Sequence, residues 1–318
     1  MEIYLVIRAH GLKQHLVQKR EYLKLIEGEA ELGELRYQDV IFGEELDQLL
    51  EAVRLKFIKR VELLIKVPSP YSSFFRAFLD RLELDNIKAK MREILGSTPV
   101  RLPLYPYFHH IKLEKLKSVD NLDDLIKLIR STPYYLNLKK YLFVKVKEVT
   151  DLWIIEACLD SGYYQYLKRE AKKTNYATRK IIDIEALITL AYWILILGEE
   201  YIRTLHMNNI LQGLEPQARF RLRYIPSLNE ILTTIGINPL EVKDIIKYRE
   251  ISQLMSILRR EYMKRIRRIV LRNKHSLAYV YYYLILCENE MRNLERVILG
   301  HELGLSKEVI TGSLLNFA

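Results

Sequence analysis

Cysteine is almost absent: the 318 residues contain only Cys158 and Cys287, far apart in sequence and in no C-x-x-C spacing. That argues against a disulfide framework or a thiolate zinc site and leaves both thiols as small buried hydrophobes. Glycine and proline are scarce, at 12 and 9 residues, which favours long helices over a many-turned β fold. No G-x-x-x-x-G-K-[ST] loop and no G-x-G-x-x-G turn is present, so the sequence basis for cradling nucleotide phosphates is missing and no cofactor is expected. Membrane-length apolar runs are missing as well. The two stretches that come nearest, "ALITLAYWILILG" (186–198) and "SLAYVYYYLILC" (276–287), fall far short of roughly 20 apolar residues and are flanked by charge, so both read as buried helices. The start "MEIYLVIRAHGLKQHL" lacks the basic flank, apolar core and small-residue site of a secretory signal and reads as mature protein of the cytoplasm.

What is present is helical pattern from end to end, and the fold class expected is all-α. In "FGEELDQLLEAVRLKFIKRVELLIK" (42–66) apolar residues recur at three- and four-residue intervals with Lys and Arg between them. Local chemistry punctuates helix starts: Ser227 with Glu230 three residues on, and Asn238 followed by Pro239 and Glu241. The proline-bearing stretches 96–110 and 212–228 break the pattern and divide the chain into three helical units, 1–100, 101–225 and 226–318.

The units are similar in size and share a phrase. "ELDNI" (83–87), "DIEAL" (183–187) and "EMRNL" (290–294) follow one order of acidic, aliphatic, charged, Asn or Ala, and aliphatic, spaced by about a third of the chain. The signature positions are therefore Glu83 with Asn86, Asp183 with Ala186, and Glu290 with Asn293. Each phrase is followed by helix closing at a glycine (Gly96, Gly198, Gly304) and is preceded by an aromatic-bearing helix, as expected of units of two or three helices sharing a core.

Reactive chemistry is sparse. His109 and His110 form the only adjacent histidine pair, in a proline-rich connector without H-x-x-x-H spacing, so a surface or packing role is expected and no metal. Glu83 with Asp85, Asp183 with Glu185, and Glu288 with Glu290 stand two apart, on different helix faces, where no acid and base converge; salt bridges and solvation account for them. Ser161-Gly162 lacks the second glycine and strand of a nucleophile elbow. No catalytic residue is assigned.

The net charge of +10 admits an anionic partner without choosing one. The densest basic run, "RREYMKRIRRIVLRNK" (259–274), carries Tyr262, Met263, Ile266, Ile269 and Val270 at helical spacing and reads first as the solvated side of an amphipathic helix. Its Arg265, Arg267, Arg268 and Arg272 are the candidate interface residues. A basic helical repeat protein that binds nucleic acid is the alternative; it requires exposed aromatics beside Lys and Arg, whereas most aromatics here have core spacing.

"FLDRLELDNIKAKMREILG" (78–96) and "ENEMRNLERVILGHELGLSKEVI" (288–310) resemble the first and last signature helices of the C subunit of A-type and V-type ATP synthases, the counterpart of subunit d of the vacuolar proton pump. Residues 4–40, with Arg8, a Leu-rich helix ending near Leu25 and a turn reaching Tyr37, resemble that family's opening. Two residues depart from the pattern: Ala186 stands where the other copies have Asn, and Glu295 where the family more often has a basic residue. The resemblance implies three similar units with pseudo-threefold symmetry forming a funnel on the cytoplasmic end of the membrane rotor ring. It further implies a non-catalytic, membrane-peripheral adaptor of the rotor, present in single copy, whose partners are the ring and the central-shaft subunits rather than nucleic acid.

Overall fold

A computed structural model describes residues 1–30, 45–96, 103–142, 151–216 and 226–315. The expected turn at Tyr37 and the unit boundaries near 100 and 225 lie outside these residues. Among the described residues the chain is all helix, without a strand. Its longest elements come in sequence as three pairs: Leu46–Ile65 then Ser72–Ile94, Asp151–Glu170 then Tyr176–Leu197, and Ile251–Arg272 then Leu277–Glu302. The three phrases occupy the second helix of each pair, called here the first, second and third signature helices.

The chain forms two compact units, Met1–Phe75 with Ile266–Ala318, and Arg76–Arg265. In the former unit, Leu46–Ile65 and the N-terminal helix Glu2–Lys13 both pack on the third signature helix. The apolar periodicity of Leu46–Ile65 delivers Leu50, Val53, Phe57, Val61 and Leu64 to this core, to which the third signature helix contributes Tyr281, Leu284, Met291 and Leu294, all at essentially no exposure. In the other unit, Asp151–Glu170 packs on Tyr135–Leu142 and on the second signature helix, which also receives Leu228–Ile235. Ser227 and Glu230 form the expected capping box at the start of Leu228–Ile235. Asn238 and Pro239 open only a 3₁₀ turn, Pro239–Val242, with the Asn238 side chain accepting the Leu240 N–H as a cap.

Both cysteines are buried, and burial pushes the Cys287 thiol up to about 12, far from thiolate chemistry at neutral pH. Among the described residues no single helix is long and apolar enough to cross a membrane. The second signature helix and Glu199–Met207 reach that length together but bend by 117° at Gly198. Gly198 makes the bend with φ 87° and ψ 149°, a region open essentially to glycine, whereas Gly96 and Gly304 close their helices at φ 64° and 62° in the left-handed region.

Candidate functional site

The signature residues are buried pins. In the first signature helix the fully buried Glu83 turns Oε1 to three successive backbone N–H groups, of His109 (2.8 Å), His110 (2.8 Å) and Ile111 (2.9 Å), and accepts the Tyr134 hydroxyl at Oε2 (2.9 Å). One turn on, Asn86 clamps Tyr105 at two points, Oδ1 accepting its N–H (2.7 Å) and Nδ2 donating to its carbonyl (2.9 Å). The third signature helix repeats the device. Glu290 accepts the Val17 N–H (2.6 Å) and pairs with Arg60, and Asn293 clamps Leu315 through its N–H (2.6 Å) and carbonyl (3.2 Å). An amide side chain offers an acceptor to the N–H and a donor to the C=O of one residue, which is why Asn serves here and a carboxylate would not.

The middle copy is different. Asp183 pairs with Lys168 (2.9 Å), whose Nζ also donates to the Glu215 carbonyl (2.6 Å), while Ala186 is fully buried and has no group to clamp with. Solvation, expected for the spaced carboxylates, does not describe Glu83 or Glu290. Both are sealed from water because each satisfies main-chain donors that the fold would otherwise bury unpaired. The neighbouring Glu288 does form the expected intrahelical pair with Arg292 (3.7 Å).

Five residues beyond the signature carboxylate the structure accounts for Glu295. Lys88, at that position in the first signature helix, pairs with Asp160 of Asp151–Glu170 (2.5 Å); Glu295, at the same position in the third, pairs with Arg54 of Leu46–Ile65 (2.7 Å). The charges are exchanged between the two helices, so the departure at Glu295 is matched by Arg54. Burial pulls the Lys88 ammonium down, but Asp160, Glu156 and Asp85 outweigh it and hold the group above its ordinary value. Trp193 Nε1 donates to the other Asp160 oxygen (2.9 Å), and Arg92 grips Glu156 with two parallel bonds of 2.7 and 2.6 Å. In the second signature helix the half-buried Glu185 gathers Arg81 (3.1 Å) and the hydroxyls of Tyr164 (3.4 Å) and Tyr262 (3.2 Å).

The basic run lies on the helix Ile251–Arg272, amphipathic as its spacing predicts. Tyr262, Met263, Ile266 and Val270 are buried, and Arg267, Arg268 and Arg272 are exposed. Arg265 is half-buried and donates to the Thr234 carbonyl at the end of Leu228–Ile235. Three of the four arginines thus form an open basic face. Tyr262, the aromatic of this run, is only 7% exposed and is no platform for a base.

Two other polar groups have structural partners. Ser161 is fully buried, its hydroxyl accepting from Asn137 Nδ2 (2.9 Å) and from the Gly213 N–H (3.1 Å); a Cβ at the adjoining Gly162 would collide with the Tyr134 carbonyl. The histidine pair meets a residue with no local sequence signal. Asp80, one turn before Glu83 and fully buried, lies with Oδ1 2.9 Å from His109 Nδ1 and Oδ2 3.2 Å from His110 Nε2, and accepts the Tyr107 hydroxyl (2.9 Å). Burial pushes the Asp80 carboxyl up, yet the hydrogen bonds from His109 and His110 prevail and hold it below its ordinary value; the same bond raises His109. No spacing rule joins residue 80 to residues 109 and 110; Glu83 does so by holding the histidines' backbone.

The architecture and these pins frame the comparison with known proteins. The model of the family described as "ATP synthase (C/AC39) subunit" matches residues 5–312, nearly the whole chain. Among curated proteins no match was found.

Proposed function

The chain belongs to the ATP synthase (C/AC39) subunit family, and from that premise we propose that it is a non-catalytic rotor subunit, the socket that couples the central shaft to the membrane ring and transmits torque. The observation that carries this reading is the order in which the long helices pair. The first signature helix pairs with Asp151–Glu170 through Lys88, Arg92 and Arg81, and the second with Ile251–Arg272 through Glu185 and Tyr262. The third pairs with Leu46–Ile65 through Glu290 and Glu295. The second signature helix also packs on Asp151–Glu170 of its own copy, but through these polar links each signature helix reaches the leading helix of the next copy, and the last reaches that of the first. That order supports three units, near 1–100, 101–225 and 226–318, closing as a pseudo-threefold funnel.

A part that carries torque must resist deformation between its copies, and buried, hydrogen-bonded ion pairs cross-linking successive copies suit that demand, since their geometry admits few alternatives. The polar groups described above are used as pins and clamps, in keeping with a subunit that performs no chemistry of its own. The exposed Arg267, Arg268 and Arg272 face the ring or the membrane side at the cytoplasmic surface, where anionic groups attract them with a strength that falls as salt rises.

The test is recovery. The tagged full chain should co-purify in single copy with the membrane ring and shaft subunits. Recovery with nucleic acid, or without either rotor part, overturns the proposal. The joint substitution Arg267→Glu with Arg268→Glu should reduce assembly at physiological salt while leaving the fold intact; full assembly would refute the placement of the basic face.

A further inference from the structure

We propose that Asp80, His109 and His110 hold one divalent transition-metal ion of the zinc class, pinning the connector at 103–111 to the first signature helix. Their ligand atoms all lie within 4.8 Å of one another. In a four-coordinate site with metal–ligand bonds near 2.0–2.1 Å, neighbouring ligand atoms stand about 3.3 Å apart. His109 Nδ1 stands 2.9 Å from one Asp80 oxygen and His110 Nε2 3.2 Å from the other, so a small rotation of the carboxylate brings one oxygen to both nitrogens.

Charge balance is the stronger argument. Asp80 and Glu83 are both fully buried, three residues apart on one helix. Glu83 receives neutral donors, three backbone N–H groups and the Tyr134 hydroxyl. Asp80 receives the two imidazoles and the Tyr107 hydroxyl, with Tyr166 also reaching it. Among the described residues neither carboxylate forms an ion pair with a lysine or arginine; Arg76 acts on His109 only through space. Two carboxylates sealed from water, with no partner of fixed positive charge, carry a large desolvation cost, which one divalent cation offsets.

The donor set selects the metal. Two imidazole nitrogens and one carboxylate oxygen suit zinc and its neighbours and disfavour calcium and magnesium, which take oxygen. The side chains of His109 and His110 are 33% and 22% exposed, so an ion has a way in and a water can fill the fourth position. Glu83 supplies the outer support, since it fixes the main chain of both histidines and hence the direction of their rings.

The experiment uses the full chain stripped with a chelator. Titration with Zn²⁺ in a calorimeter should show one saturable equivalent, and Co²⁺ should give the intense visible absorption of a four-coordinate ion. The double substitution H109Q with H110Q should weaken binding at least about tenfold with unchanged helical circular dichroism, while H206Q leaves it unchanged. No saturable equivalent, or equal affinity in the double variant, overturns the site and leaves protons as what balances the carboxylates. Should the double variant not fold, the Co²⁺ spectrum of the unaltered chain decides: the pale spectrum of a six-coordinate aquo ion sinks the proposal.

Discussion

At the scale of single residues, the two asparagines are the most informative side chains in the molecule. Asn86 and Asn293 each make two bonds to the backbone N–H and C=O of one residue, 19 and 22 residues further along the chain. Replacing either with Ala strands a backbone donor and acceptor, and should cost about 1–3 kcal/mol. Urea unfolding would measure the loss, and amide exchange should quicken at Tyr105 for Asn86→Ala and at Leu315 for Asn293→Ala. Lys88 offers a pH test. Its folded value lies above the ordinary 10.5, so the stability it contributes is fully present below that value and is lost as pH rises through the folded value. The destabilisation caused by Lys88→Met should therefore shrink in strong alkali, where the unaltered chain loses its ammonium, and also toward acid, where the stranded Asp160 carboxylate takes up a proton. A cost that does not fall in strong alkali would contradict the pairing with Asp160.

Between elements, specificity resides in matched charges rather than in apolar faces. Leu46–Ile65 and Asp151–Glu170 both present an apolar stripe that any signature helix could cover, but Arg54 fits only a helix with an acid five residues past the signature carboxylate, and Asp160 only one with a base. Glu295→Lys alone should cost about 3–5 kcal/mol, because it places a second cation beside the buried Arg54. Combining it with Arg54→Asp, which copies the Lys88–Asp160 arrangement, should restore most of that loss; a double-mutant cycle on melting temperatures measures the coupling. Gly162→Ala tests packing instead. The helix Asp151–Glu170 approaches the Tyr134 backbone so closely that neither side can yield, so the substitution should destabilise far more than an ordinary helix Gly→Ala change, which is usually favourable.

For the whole molecule, the family and the order of helix pairing lead to a specific expectation. A crystal structure of the assembled rotor should superpose the three long-helix pairs through successive rotations of about 120°, with residues 86, 186 and 293 as equivalents. Superposition of only two pairs would leave the funnel without its symmetry. Much of the plan was legible in the sequence. Periodicity marked Leu46–Ile65 and its core face, Ser227 and Glu230 marked a helix start, and the recurring phrase marked all three signature helices. Each of these depends on interactions within one or two helical turns, which a local pattern encodes. The tertiary structure alone decided what the polar residues do. Glu295 reads as an anomaly until Arg54, 241 residues away, lies 2.7 Å from it, and Asp80 carries no signal at all until Glu83 brings the histidine pair to it. A helix face fixes which of its own residues point together, but a buried charge takes its meaning from whichever distant element arrives to neutralise it.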